Sequence, residues 1–286
     1  MKNIKQRKKG HKSEGIKNHI STKSLKEFNY LKQTIDNDVE HEERLDSHNQ
    51  FCRYGNIMPY KDNKVEINSN NKYINASWIH LPYNKSFIAT QGPLDTTIDD
   101  FWQMIYQYNI QVIIMLCQLE EKSKIKCAKY WEPNCVNNYQ LNLLNEFQIF
   151  DGIILRNFEI KKNSEDIFPR TVIQLHYTCW EDHSAPDKDA FEKLLKLIDY
   201  MEQYKQNCPV LVHCSAGVGR TGTFLGIYNL NLEINKQLID TNLFEIKVSV
   251  MDIVRKLKEM RLHLVENDDQ YLFLYQFVDM LLMNKN

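Results

Sequence analysis

Residues Pro209 to Gly222 constrain the chain more than any other stretch. Pro209-Val-Leu-Val-His213-Cys214-Ser215-Ala216-Gly217-Val218-Gly219-Arg220-Thr221-Gly222 reads as an apolar strand that runs into a loop of small residues and then into a helix. Small side chains let successive backbone N–H groups from Ser215 to Arg220 turn inward as a concave anion nest, and the following helix N-terminus adds partial positive charge. A phosphate dianion fits such a cradle. Cys214 opens the loop, so the same field favours its thiolate, the nucleophilic form. Arg220 offers a planar fork to two phosphoryl oxygens, a geometry that lysine lacks. Thr221 can set a hydroxyl near the sulfur. Gly217-Val218-Gly219 is no nucleotide loop, because the Walker lysine spacing is missing. The bland alternative, a buried thiol in a glycine-rich turn, leaves the order of strand, loop, arginine and helix unaccounted for.

The remainder supports one folded unit. The chain has 286 residues, 43% hydrophobic and 26% charged, with a formal net charge of -1, an ordinary globular balance that names no partner by charge. The longest apolar run, Val112 to Cys117, is too short to span a bilayer, and no apolar h-region follows the basic N-terminus, so no transmembrane segment or secretory signal is expected. Seven scattered cysteines without CxxC spacing argue against a disulfide framework or a zinc site, and no metal or other cofactor is expected. They suggest a reducing compartment.

Residues 1–26 hold nine Lys or Arg against Glu14, which predicts a flexible basic arm able to touch anionic surfaces; no nucleic-acid partner is inferred from it. A single domain over 27–284 follows, without linker or repeat. Val112 to Leu116, Thr171 to Tyr177 and Val210 to Val212 read as buried strands. Helical periodicity marks Phe191 to Met201 and Val250 to Met260, the latter with Ser249 as a cap, and further helices are expected over Thr97 to Tyr108, Arg220 to Lys236 and Asp268 to Met283. The class is therefore α/β or α+β, a mixed sheet flanked by helices.

His213-Cys214-Ser-Ala-Gly-Val-Gly-Arg220-Thr221-Gly222 resembles the signature of the tyrosine-specific, cysteine-dependent protein tyrosine phosphatases. Other blocks match that family in order: Arg53-Tyr54-Gly55-Asn56-Ile57-Met58-Pro59-Tyr60, Tyr73-Ile-Asn-Ala-Ser-Trp78-Ile79, Phe87-Ile-Ala-Thr-Gln91-Gly92-Pro93-Leu94 with Asp100-Phe101-Trp102, and Lys126-Cys127-Ala128-Lys129-Tyr130-Trp131. The resemblance implies a highly twisted mixed sheet and a two-step reaction through a phosphocysteine, with phosphotyrosine proteins as partners. It implies that Tyr54 walls a deep pocket that phosphoserine is too short to fill, that Asn56 holds the substrate backbone, and that Glu121, rather than its neighbour Glu120, orients Arg220. Gln91 and Tyr130 are expected to be structural.

Two departures stand out. His176-Tyr177-Thr178-Cys179-Trp180-Glu181-Asp182-His183-Ser184-Ala185-Pro186 aligns with a mobile loop that ordinarily reads Trp-Pro-Asp, and glutamate stands in place of the proline. Asp182 remains as general acid and Trp180 as a hinge-like anchor, while the lost proline alters the loop's populations. In Arg261-Leu-His-Leu-Val265-Glu266-Asn267-Asp268-Asp269-Gln270-Tyr271, Glu266 stands where the family has a water-positioning glutamine, and Gln270 matches a second one. An ionised Glu266 about 6 Å from the phosphate repels each unit charge by roughly 3 kcal/mol at an effective dielectric near 20. Three escapes are open: Glu266 swings outward, remains protonated, or serves as a base on the water.

The leading expectation is an active phosphotyrosine phosphatase. A phosphotyrosine-binding or trapping protein, crippled by Glu181 and Glu266, is the rival from another class. A dual-specificity or lipid phosphatase ranks last, because no lysine lies inside the cradle. The Asn, Lys and Ile richness, the basic tail and both departures also resemble the divergent phosphatases of bracoviruses of parasitoid wasps. That likeness implies a cytoplasmic enzyme of infected insect host cells acting on immune or cytoskeletal signalling.

Overall fold

The computed structural model describes residues 22–35, 50–69, 73–132, 136–162, 167–181, 184, 189–204 and 207–285. A seven-stranded sheet forms its centre. Its strands are β1 (Ala76–Leu81), β2 (Lys85–Thr90), β3 (Val112–Met115), β6 (Tyr139–Phe150), β7 (Ile153–Lys162), β8 (Arg170–Tyr177) and β9 (Val210–His213), in the spatial order β1-β2-β9-β3-β8-β7-β6. The pairs β2/β9, β9/β3 and β3/β8 are parallel, and antiparallel hairpins close each side. A separate small hairpin joins β4 (Glu120–Glu121) to β5 (Lys124–Ile125). Its turn residues Lys122 and Ser123 adopt positive φ.

The three strands expected from their apolar runs are all present, and β3 and β9 are buried along their whole length. A run covered on both faces reads as continuous rather than alternating, which is how a central parallel strand announces itself. Burying each of Val210, Leu211 and Val212 contributes roughly 1.5–3 kcal/mol.

Helices flank the sheet: α1 over residues 22–34, α2 (Ile98–Gln107), α3 (Ala190–Tyr204), α4 (Gly219–Asp240), α5 (Val250–Met260) and α6 (Asp268–Met283). The first three turns of α4 are buried on every side, and α4 packs against both α5 and α6. Caps fall where expected. Ser249 accepts from the Asp252 N–H, and Asn267 accepts from that of Gln270.

One boundary needs correction. The arm was expected to extend to residue 26, but residues 22–26 already belong to α1. Ser24, Phe28 and Leu31 recur at helical spacing on the buried face of α1. Phe28 lies 5.5 Å from the Tyr271 ring, and Glu27 accepts from the Tyr271 hydroxyl at 2.9 Å. Residues 1–21 lie outside the described residues.

Candidate active site

The cradle sits at the C-terminal end of β9, between two parallel neighbours, where open α/β sheets leave room for a ligand. Its shape follows from where its carbonyls go. His213 O accepts from Leu116 N, Ser215 O from Gly92 N, and Val218 O from Gly222 N and Val265 N. Ala216 O and Gly217 O accept from the Arg261 guanidinium at 3.2 and 2.9 Å. With the carbonyls engaged outward, the N–H side of the loop faces the Cys214 sulfur, and Gly217 N–H reaches it at 3.3 Å. Gly217 has φ +73°, and a β-carbon there would overlap the Thr90 carbonyl, so this position requires glycine.

Arg220 is held from two sides. Its Nη1 and Nη2 donate to the two Glu121 carboxylate oxygens at 2.7 and 3.2 Å, and Nη1 also donates to the Trp180 carbonyl at 2.9 Å. Both partners of this ion pair are buried, with side chains 2% and 10% exposed. Burial opposes the charge on Arg220, but the Cys214 sulfur and Glu121 outweigh it and raise its pKa. Of the two acids in the Glu120-Glu121 run, Glu121 makes the contact and Glu120 points to solvent.

Tyr54, Asn56, Ile57, Cys214, Ser215, Ala216, Gly219, Arg220, Glu266 and Gln270 line one cleft of about 230 Å³. The Tyr54 hydroxyl and Ser215 Oγ lie 3.0 Å apart. Gln270 is buried and accepts from the Glu266 N–H at 3.0 Å. A β-carbon at Gly219 would meet Glu266 Oε2 at 2.8 Å and Gln270 Nε2 at 3.1 Å, so the bare glycine makes room for both side chains. The larger cleft, of about 580 Å³ between Trp131 and β6, shares no lining residue with this one.

Three of the remaining candidates, Thr221, Trp180 and His213, adjoin residues of the cleft. Thr221 Oγ1 is buried without a hydrogen-bond partner among the described residues. Trp180 is buried, and its indole N–H donates to Ser184 O at 3.0 Å. His213 is fully buried behind the nucleophile, and that burial pushes its pKa down to about 3, so the ring is neutral. Asp182 lies outside the described residues, as do His183 and Pro186.

Two arginines were not picked out from the sequence. Arg261, fully buried, donates to Ser77 Oγ and Asn75 Oδ1 of the β1 region as well as to the two loop carbonyls, and so ties the cradle to the sheet. Desolvation lowers its pKa to about 10. Arg53 donates to the carbonyls of Gly92, Pro93 and Ile125, fastening the segment that carries Tyr54; Gln91 completes the clamp by bonding Arg53 N and Phe51 O. The available signal for Arg261 was a lone cation among Met260, Leu262, Leu264 and Val265.

Comparison with known proteins agrees with this geometry. Residues 48–279 match the sequence profile described as protein-tyrosine phosphatase. The chain is 38% identical over 236 residues to human receptor-type tyrosine-protein phosphatase eta, covering 79% of this chain and 17% of that protein. It is 37% identical over 238 residues to human tyrosine-protein phosphatase non-receptor type 13, covering 79% and 9%. The rat non-receptor type 20 protein is 35% identical over 240 residues, covering 81% and 54%. The chain thus spans only part of each of these relatives.

Among solved structures, the catalytic domain of human protein tyrosine phosphatase non-receptor type 18 superposes with a TM-score of 0.79 at 26% identity, covering 91% of this chain and 96% of that one. A structure of the same phosphatase with HER2 phosphopeptides also gives a TM-score of 0.79 at 26% identity, covering 91% and 93%. Among the described residues no helix is long and apolar enough to cross a membrane. The fold, the ordered blocks around Cys214 and the profile match over most of the chain together establish that it belongs to the protein-tyrosine phosphatase family.

Proposed function

We propose that the chain hydrolyses phosphotyrosine in proteins through a phosphocysteine on Cys214. The observation that carries this reading is one cleft in which the Cys214 sulfur, the clamped Arg220 fork and the Tyr54 ring converge. The Cys214 thiolate attacks phosphorus while Arg220 and the loop N–H groups hold the equatorial oxygens, and the bond to the tyrosyl oxygen breaks. Asp182 gives its proton to that oxygen. Water then attacks the phosphocysteine, Asp182 takes a proton from it, and the S–P bond breaks to regenerate the thiolate and release phosphate. Thr221 supports the departing thiolate, Asn56 the substrate backbone, and Gln270 the attacking water.

Depth sets the substrate class: a phenyl ring beside Tyr54 brings its phosphate to the cradle, which a phosphoserine side chain cannot reach. The HER2 phosphopeptides bound by the non-receptor type 18 relative support a phosphotyrosine protein as ligand. Glu266, lining the same cleft, favours a second reading in which product or intermediate is released slowly and the protein chiefly holds its target. We also place its action in the cytoplasm of infected insect cells, after the bracovirus resemblance; a tagged chain excluded from that cytoplasm would contradict this.

Turnover of matched phosphotyrosine and phosphothreonine peptides by wild type and Tyr54→Ala tests the reading. Selective hydrolysis of phosphotyrosine, weakened at Tyr54→Ala mainly in KM, is expected. Tight binding without phosphate release would leave the trapping reading in its place, and equal turnover of both peptides would refute the deep pocket.

A further inference from the structure

A continuous line of buried side chains leads from the nucleophile across the sheet to its far edge. His213 Nδ1 lies 3.2 Å from Cys214 O, and His213 Nε2 lies 3.0 Å from the Tyr130 hydroxyl. The amide nitrogen of Gln174 donates to that hydroxyl, and Gln174 Oε1 accepts from Arg156 Nη1 at 2.6 Å. The same Nη1 lies 3.1 Å from His176 Nδ1, whose ring reaches Cys117 O through Nε2 at 2.8 Å. Arg156 Nε donates to Glu146 on β6, and the guanidinium sits 4.4 Å from the Trp131 ring centroid. All members except Glu146 are buried.

The direction of every bond in this line follows from one fact: a guanidinium only donates. Gln174 must therefore present its oxygen to Arg156, which aims its NH₂ group at Tyr130. The Tyr130 oxygen accepts there and has its own proton to give. His213 Nε2 takes it, the alternative Met115 sulfur being a weaker acceptor 3.9 Å away. With Nε2 an acceptor and the ring neutral, the remaining proton sits on Nδ1 and is donated to Cys214 O. Among the described residues no backbone N–H donates to that carbonyl. By the same logic the second Nη1 proton fixes His176 with its proton on Nε2, given to Cys117 O; burial keeps that ring neutral as well, its pKa lowered to about 4.

We propose that Arg156 is a positioning residue for the phosphatase reaction, setting the direction of the Gln174–Tyr130–His213 line so that His213 is held with its proton on Nδ1 and anchors the Cys214 backbone. Reversing the line turns an imidazole lone pair against the Cys214 carbonyl oxygen, and the head of the cradle moves. Its effect on turnover rests on Cys214 as nucleophile, while the protonation pattern itself does not.

The side-chain ¹⁵N spectrum of the full chain near pH 7 tests the proposal directly. Wild-type His213 is expected protonated on Nδ1 and bare on Nε2. Gln174→Glu keeps the side chain's shape and its bond to Arg156 but removes the donor to Tyr130, whose hydroxyl then turns to the carboxylate; His213 is expected to switch to the Nε2–H form. Turnover of a phosphotyrosine peptide is expected to fall about ten- to a hundredfold in kcat/KM, by analogy with the loss of a partner that orients a metal-ligating histidine. Arg156→Lys, which retains a donor, is expected to keep the Nδ1–H form. A wild-type His213 protonated on Nε2 overturns the proposal even if the variants do not fold, and so does an unchanged pattern in folded Gln174→Glu. An Nδ1–H ring in a protein that hydrolyses no phosphotyrosine upholds the line and refutes the enzymatic reading alone.

Discussion

The two walls of the cleft are built on different principles. The wall from His213 to Arg220 is buried except at Ala216 and is held from outside by Gly92, Leu116, Glu121, Trp180, Val265 and Arg261. The facing wall, Glu266 and Gln270, hangs from the start of α6, and Glu266 is partly exposed. A wall held at so many points tolerates little change in sequence. The facing wall carries the Glu266 carboxylate, where the family resemblance implies an amide, and it is the place where turnover can be tuned without unfolding the cradle.

Substitutions can break this contrast in order of expected effect. Cys214→Ser removes the nucleophile and is expected to lower kcat on a phosphotyrosine peptide on the order of 10⁴-fold or more, while leaving binding measurable by titration calorimetry. Arg261→Met strands the carbonyls of Ala216 and Gly217 along with Ser77 and Asn75, and a loss of about 3 kcal/mol or more is expected in urea unfolding.

Glu266→Gln, on the other wall, is expected to change stability by less than about 0.5 kcal/mol and to raise kcat by up to about two orders of magnitude, through loss of roughly 3 kcal/mol of repulsion. Unchanged kcat would mean that Glu266 exerts no repulsion on the phosphate.

A separate effect, on neither wall, concerns pH. His213 and His176 have folded pKa values near 3 and 4, well below the value of about 6.5 in the unfolded chain, so unfolding takes up protons in that window. Stability from these rings is complete above about pH 6.5 and falls with acidification, by about 1.4 kcal/mol per pH unit for each ring. The urea midpoint measured between pH 7 and 5 checks this, and a flat profile would contradict the neutral buried rings.

Much of the firm wall was legible because its information is local. A strand, six small or branched residues, an arginine and a helix follow one another without interruption from Val210 to Arg220, and the periodic faces of α3, α5 and α6 are equally contiguous. What holds that wall in place was not legible. Arg261 and Arg53 bind backbone carbonyls far away in sequence, and backbone partners leave no residue pattern to read. The β6–β7 hairpin was missed for another reason: β6 buries little, exposes Leu143, Leu144 and Phe147, and is interrupted by register shifts at Leu143/Asn145 and Gln148/Phe150. Those shifts destroy the two-residue alternation that identifies a strand. The start of α1 was hidden by lysines whose buried counterparts, Ser24, Phe28 and Leu31, appear only once in each turn.

The most direct test of the whole account is an acid quench of wild-type protein, milliseconds after mixing with a phosphotyrosine peptide, followed by mass analysis of the proteolysed chain. A phosphoryl group on the fragment containing Cys214, absent in Cys214→Ser, is the predicted result. Phosphate release with no phosphoryl group on Cys214, or with one on another residue, would contradict it.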